Sequence, residues 1–104
     1  MIKVQFTLKN GKVCHLVVKG HAEYASKGHD IVCSAVSGIV LGGLNALEMK
    51  DDEVTISDTP NKLDVTFKRE LSEREEIVLQ TIYTQLLGIS ESYPQNLALE
   101  RKEI

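Results

Sequence analysis

Ile2, Val4, Phe6 and Leu8 alternate with Lys3, Gln5, Thr7 and Lys9, the two-residue period of a strand with one buried face. Asn10-Gly11 follows, a pair suited to the positive φ angles of a type I′ turn, so the chain is expected to double back. The return strand spans about Lys12 to Lys19. Strict alternation there puts Val13, His15 and Val17 on one face and Cys14, Leu16 and Val18 on the other. If the second trio faces the core, Cys14 is buried and unreactive, and His15 is exposed and inert.

Ile31 to Leu47 carries no charged residue. Ser34, Ser37, Gly38, Gly42, Gly43 and Asn45 interrupt it, so it reads as a buried helix, running to about Met49, rather than a membrane span. Ser34, Gly38 and Gly42 recur every four residues and share one helix face, which lets a sheet or a second helix approach closely. Glu53–Asp58 and Leu63–Lys68 form a second hairpin around Thr59-Pro60-Asn61, with Val54, Ile56, Leu63, Val65 and Phe67 facing inward. Ser72-Glu73-Arg74-Glu75 is a capping box that opens a helix to about Ser92. Its apolar face holds Ile77, Leu79, Ile82, Tyr83, Leu86 and Ile89. Leu97 and Leu99 mark a short last strand. The order is ββαββαβ, which predicts one α+β domain over residues 1–104: a mostly antiparallel sheet packed with two helices, one of them strongly apolar.

A chain of 104 residues with 42% hydrophobic content builds a core without metal or disulfide staples. Net charge is −3, Lys and Arg form no dense cluster, and Trp is absent. No nucleic-acid partner is therefore expected, because such binding rests on phosphate neutralisation and base stacking. The polar alternation from Ile2 to Leu8 is unlike a secretory signal. The two cysteines are too few for a disulfide scaffold and point to a reducing compartment.

The chemistry concentrates after the second strand. Gly20 to Asp30 has neither strand nor helix character, and connections of this length are usually functional. Cys33 falls in the first turn of the apolar helix, where the helix dipole favours negative charge on sulfur. Unpaired N–H groups at that helix start are expected to hold an oxyanion. His21 supplies a general base at the end of a strand. His29, four residues before Cys33, competes for that role by proximity, and position alone leaves the choice between them open. Asp30 reads either as the N-cap, accepting from the N–H of Val32 or Cys33, or as a carboxylate that orients an imidazolium. A zinc site from His21, His29 and Cys33 matches no common spacing and lacks a fourth ligand, so no metal or other cofactor is expected.

Gly20-His21-Ala22, Gly28-His29-Asp30-Ile31-Val32-Cys33 and Ser37 together resemble the ribosomal-processing cysteine protease family, Prp. The likeness extends over nearly the whole chain, and the pairing of the two motifs makes it specific. It implies a bacterial, cytoplasmic, homodimeric endopeptidase that removes an N-terminal extension from a large-subunit ribosomal protein, cutting after an aromatic-rich apolar segment. Matched by position, Cys33 is the nucleophile and His21 the base, with Gly20, Asp30 and Ser37 in supporting places. The loop between the motifs is expected to order around substrate and, with the apolar helix, to wall a groove for it. Ser34 departs from the alanine more usual in the family and sets a hydroxyl beside the thiol. The alternatives are a non-catalytic ribosome-associated binding module and a thiol redox or metal-binding domain.

Overall fold

The elements follow the expected order: β1 Ile2–Lys9, β2 Lys12–Lys19, α1 Ile31–Asn45, β3 Val54–Thr59, β4 Lys62–Phe67, α2 Glu73–Ser92 and β5 Leu97–Glu103. The structure is a computed structural model and describes residues 1–26 and 28–104. The strands form one sheet in the order β3-β4-β2-β1-β5. Every pairing is antiparallel except β1 with β5. Asn10 and Gly11 have φ of 54° and 76°, as a two-residue turn with right-handed strand twist requires.

Strict alternation fails in β2. Thr7 lies opposite His15 but Leu8 lies opposite Val13, so Cys14 is an extra, unpaired residue and the strand bulges there. The bulge turns Val13 inward, where it is buried with Leu16. The Val13 N–H donates to Glu76 Oε2 of α2 at 3.0 Å, which ties the bulge to the helix. Cys14 is therefore not a core residue: it is half-buried, and its thiol donates to the Thr7 carbonyl at 3.4 Å. His15 is only partly exposed, with Nε2 2.6 Å from Asp64 Oδ1.

The first helix buries one edge rather than its whole surface. Val32, Val36 and Val40, at four-residue spacing, are buried, while Ile31 is 55% exposed and Leu41 also faces outward. Ser34, Gly38 and Gly42 are exposed too, and a Cβ added at either glycine would meet nothing within 4 Å. The close approach falls instead on Gly43, where a Cβ would sit 2.5 Å from Ile82 Cδ1 of α2. The helix ends at Asn45, short of Met49, because Leu47 turns into the core and Glu48 takes a positive φ of 54°.

Ser72 caps α2, with its hydroxyl accepting from the Glu75 N–H and the Glu75 carboxylate accepting from the Ser72 N–H. Arg69 donates two hydrogen bonds to the same carboxylate and a third to Glu53. Leu79, Ile82 and Leu86 face the sheet. Ile77, expected with them, is 59% exposed on the flank of the helix. Ile56, also expected inside, is 54% exposed: it pairs with the buried Val65, but it lies on β3, the edge strand of the sheet.

Both helices pack on one face of the sheet, against Ile2, Val4, Phe6, Leu16, Leu63, Val65, Phe67 and Leu97. Among the described residues no helix is long and apolar enough to cross a membrane. The end of β2, the start of α1 and the tip of the β3–β4 hairpin meet at one end of the sheet, and the candidate chemistry lies there.

Candidate active site

Gly20 follows β2 with φ of +86°, and a Cβ there would come within 2.6 Å of the Met1 carbonyl oxygen. Only glycine combines that conformation with that approach. Its N–H donates to the Asn61 carbonyl at 3.1 Å, which ties the strand end to the β3–β4 turn. The chain then passes over the start of α1. The loop from Gly20 to Asp30 includes Lys27, which lies outside the described residues.

Asp30 organises this crossing. Its Oδ1 accepts from the Val32 and Cys33 N–H groups, both at 3.0 Å, and its Oδ2 accepts from Tyr24 at 3.0 Å and Ala25 at 3.4 Å. The carboxylate thus caps the helix and gathers the loop onto it. The bond from Cys33, then those from Tyr24, Ala25 and Val32, hold its pKa below the usual aspartate value against a counteracting desolvation. Of the two sequence readings, this geometry is the cap. It also corrects the expected oxyanion site: the Val32 and Cys33 N–H groups are occupied by Asp30, and the Ser34 N–H by the Asp30 carbonyl.

Cys33 is partly buried, and its Sγ accepts from the Ala22 N–H at 3.3 Å. That contact joins the two sequence motifs: the residue after His21 touches the sulfur. The Ala22 carbonyl in turn accepts from Asn96 Nδ2 at 2.9 Å, just before β5. In the same loop, the Tyr24 ring packs edge-on to Tyr93 at 5.4 Å and remains 48% exposed. Ser34 turns its hydroxyl to the Asp30 carbonyl at 3.1 Å, a bond back along the helix that occupies the group expected beside the thiol.

His21 is exposed, and its Nε2 lies 2.8 Å from Asn61 Oδ1. Among the described hydrogen bonds none joins His21 to Cys33. The shared contact is through Ala22. His29 is exposed, and its backbone N–H donates to Ser26. Ser37 is exposed one helical turn beyond Cys33 and so shares its side of α1. His21, Cys33, Gly20 and Asp30 are therefore drawn into one bonded cluster, with Ser37 on its margin. Asn61 belongs to the cluster and sequence reading missed it. Its position in a two-residue turn explains it as a turn former, while its contact with His21 spans forty residues of chain.

A family model described as "Cysteine protease Prp" matches residues 1–98. The ribosomal processing cysteine protease Prp of Staphylococcus aureus is 30% identical, over 98% of this chain and all of the relative. That of Mycoplasma genitalium is 37% identical, over 84% of this chain and 87% of the relative. Among solved structures, the essential ribosomal processing protease Prp from S. aureus, in complex with a covalently linked product peptide, superposes with a TM-score of 0.89. That likeness covers 98% of this chain and all of the other at 29% identity.

Proposed function

The chain belongs to the cysteine protease Prp family, and we propose that Cys33 is its nucleophile and His21 its general base. The family acts in ribosomal protein processing, and this chain is a cysteine protease of that kind. The observation that carries the assignment is the 3.3 Å bond from the Ala22 N–H to Cys33 Sγ. It holds the sulfur against the backbone that presents His21, and it supplies a donor for negative charge developing on sulfur.

The chemistry is acyl transfer through a thioester. His21 takes the thiol proton and the sulfur attacks the scissile carbonyl. The ring then protonates the leaving amine and activates the water that frees the enzyme. The peptide covalently linked to the S. aureus relative is in keeping with a covalent route. Because Asp30 occupies the first helical N–H groups, the Ala22 N–H is the donor we assign to the reacting thiolate. Gly20 and Asp30 fix the loop on which that donor sits, and Ser37 stands one helical turn beyond Cys33.

We assign as substrate a ribosomal protein precursor whose N-terminal extension ends in an apolar segment. The exposed Tyr24, in the loop held by Asp30, and Ile31, in the first turn of α1, offer apolar surface to it. A single domain carries this machinery, works in the cytoplasm where thiols stay reduced, and pairs as a homodimer.

The experiment mixes purified protein with an extended large-subunit ribosomal protein and reads the products by mass spectrometry. Trimming by the wild type and none by Cys33→Ala is the expected result. Trimming by Cys33→Ala would remove the protease assignment, and a wild type that binds the precursor without cutting it would favour a binding module.

A further inference from the structure

We infer that Asn61 is a positioning residue for the general base, so that the site works as Cys33-His21-Asn61 rather than as a dyad. The inference rests on the assignment of His21 as base and goes beyond it by naming what orients the ring.

An imidazole acting as base must keep one nitrogen free to take a proton, and the hydrogen bond made by the other nitrogen decides which one that is. Asn61 Oδ1 lies 2.8 Å from His21 Nε2, and an amide oxygen only accepts. The hydrogen therefore sits on Nε2, and in the neutral ring Nδ1 keeps its lone pair. A second hydrogen bond fixes the same two segments together, because the Gly20 N–H donates to the Asn61 carbonyl at 3.1 Å. The sheet holds the register as well: Lys19, just before Gly20, pairs with Lys62, just after Asn61. Asn61 thus faces His21 from a turn locked by backbone bonds, and its side chain has no other hydrogen bond among the described residues. Cys-His-Asn arrangements recur on unrelated folds because they meet this same need for tautomer and orientation.

Only the side-chain contact is lost when Asn61 is changed, since the bond from Gly20 goes to its carbonyl oxygen. Asn61 is exposed and its φ is not among the positive values, so ordinary side chains suit the position. We expect Asn61→Ala to lower kcat about 10- to 100-fold, the scale of a modest misplacement of a reacting group, with KM changed less than about twofold. Asn61→Asp keeps an acceptor and adds a negative charge facing the imidazolium. It should restore part of the lost activity through the retained orienting bond and move the acid limb of the kcat/KM profile to higher pH. A merely structural role would not move that limb. A long-range nitrogen-15 NMR spectrum of the wild type gives a readout independent of turnover: His21 should be the Nε2–H tautomer, and Asn61→Ala should yield a mixture. A wild-type Nδ1–H tautomer would overturn the inference, as would Asn61→Ala with unchanged kcat and pH profile. If Cys33→Ala still cuts the precursor, the protease assignment itself fails, whatever the Asn61 variants do.

Discussion

Cys33 and Cys14 are chemically alike and are both partly buried, yet their surroundings differ at the level of single atoms. Cys33 accepts through sulfur from the Ala22 N–H, whereas Cys14 donates to the Thr7 carbonyl inside a strand bulge. Cys33→Ala is expected to slow cleavage about 10⁴-fold or more, the scale of removing a catalytic nucleophile. Cys14→Ala should leave kcat/KM within about twofold, since a surface-side change away from the site is usually close to neutral. Steady-state rates on the same peptide compare them directly. Gly20 is a sharper case, because its contact is with backbone. A methyl group at φ +86° would meet the Met1 carbonyl at 2.6 Å, and strain of this kind costs about 1–3 kcal/mol. Gly20→Ala should lower the unfolding midpoint and also shift the neighbouring His21, so kcat should fall further than stability alone explains. A Gly20→Ala protein as active as wild type would show that the strand end relaxes freely. At this scale the sequence was legible for Cys33 and Asp30, whose helix-start positions are local facts. It was silent on Asn61, whose partner is distant in the chain.

At the scale of elements, the glycine pressed against the second helix is Gly43 and not one of the evenly spaced small residues. Gly43→Ala drives a methyl to within 2.5 Å of Ile82, which is almost wholly buried, and overpacking of that kind costs about 1–3 kcal/mol. Gly42→Ala projects into open space and should stabilise the helix by up to about 1 kcal/mol through propensity alone. Thermal unfolding of the two variants side by side should give midpoints moved in opposite directions; equal shifts would mean that the helices slide past one another. The pattern that misleads here is periodicity. Ser34, Gly38 and Gly42 have the spacing of a packing face, but Val32, Val36 and Val40 have it too and carry far more apolar area. In β2, a single inserted residue, Cys14, undoes the alternation, and a bulge leaves no mark in a hydrophobic pattern. The hairpin turn and the capping box were legible because each is encoded within four neighbouring residues.

The whole molecule is held at its acidic groups in a way that sets its response to pH. The Arg69 guanidinium, through its hydrogen bonds, and the Ser72 N–H hold Glu75 down to about 2, against desolvation. Asp30 is lowered by backbone bonds, that of Cys33 foremost. Both groups have native pKa values below their unfolded ones. Their contribution is therefore complete above the ordinary carboxylate values of 3.8 and 4.5 and is lost as pH falls through the native values. Unfolding midpoints should hold steady near neutrality and decline from about pH 4.5 towards 2. Glu75→Gln should flatten that decline while lowering the midpoint at pH 7. A wild-type midpoint unchanged down to pH 2.5 would contradict it. The element order was readable throughout, since each element carries its own period and punctuation. The sheet order and the parallel partner of β1 were not, because strand neighbours are chosen by packing over long separations.

That parallel partner bears on how the protein comes into being. Asn96, which holds the Ala22 carbonyl and accepts from the Ile2 N–H, lies at the threshold of β5. The loop that touches Cys33 is thus fastened by a residue 74 positions further along the chain than Ala22. A growing chain that has emerged as far as α2 already contains Cys33, His21 and Asn61, yet the Ala22 carbonyl still lacks its donor. Released chains spanning residues 1–92 and 1–104 should differ in their rate of Cys33 alkylation and in peptide cleavage, with activity appearing only in the longer one. Equal activity from the shorter chain would show that the last strand is dispensable to the site. On this reading proteolytic competence waits on β5: the site is complete only once that strand has been laid beside β1.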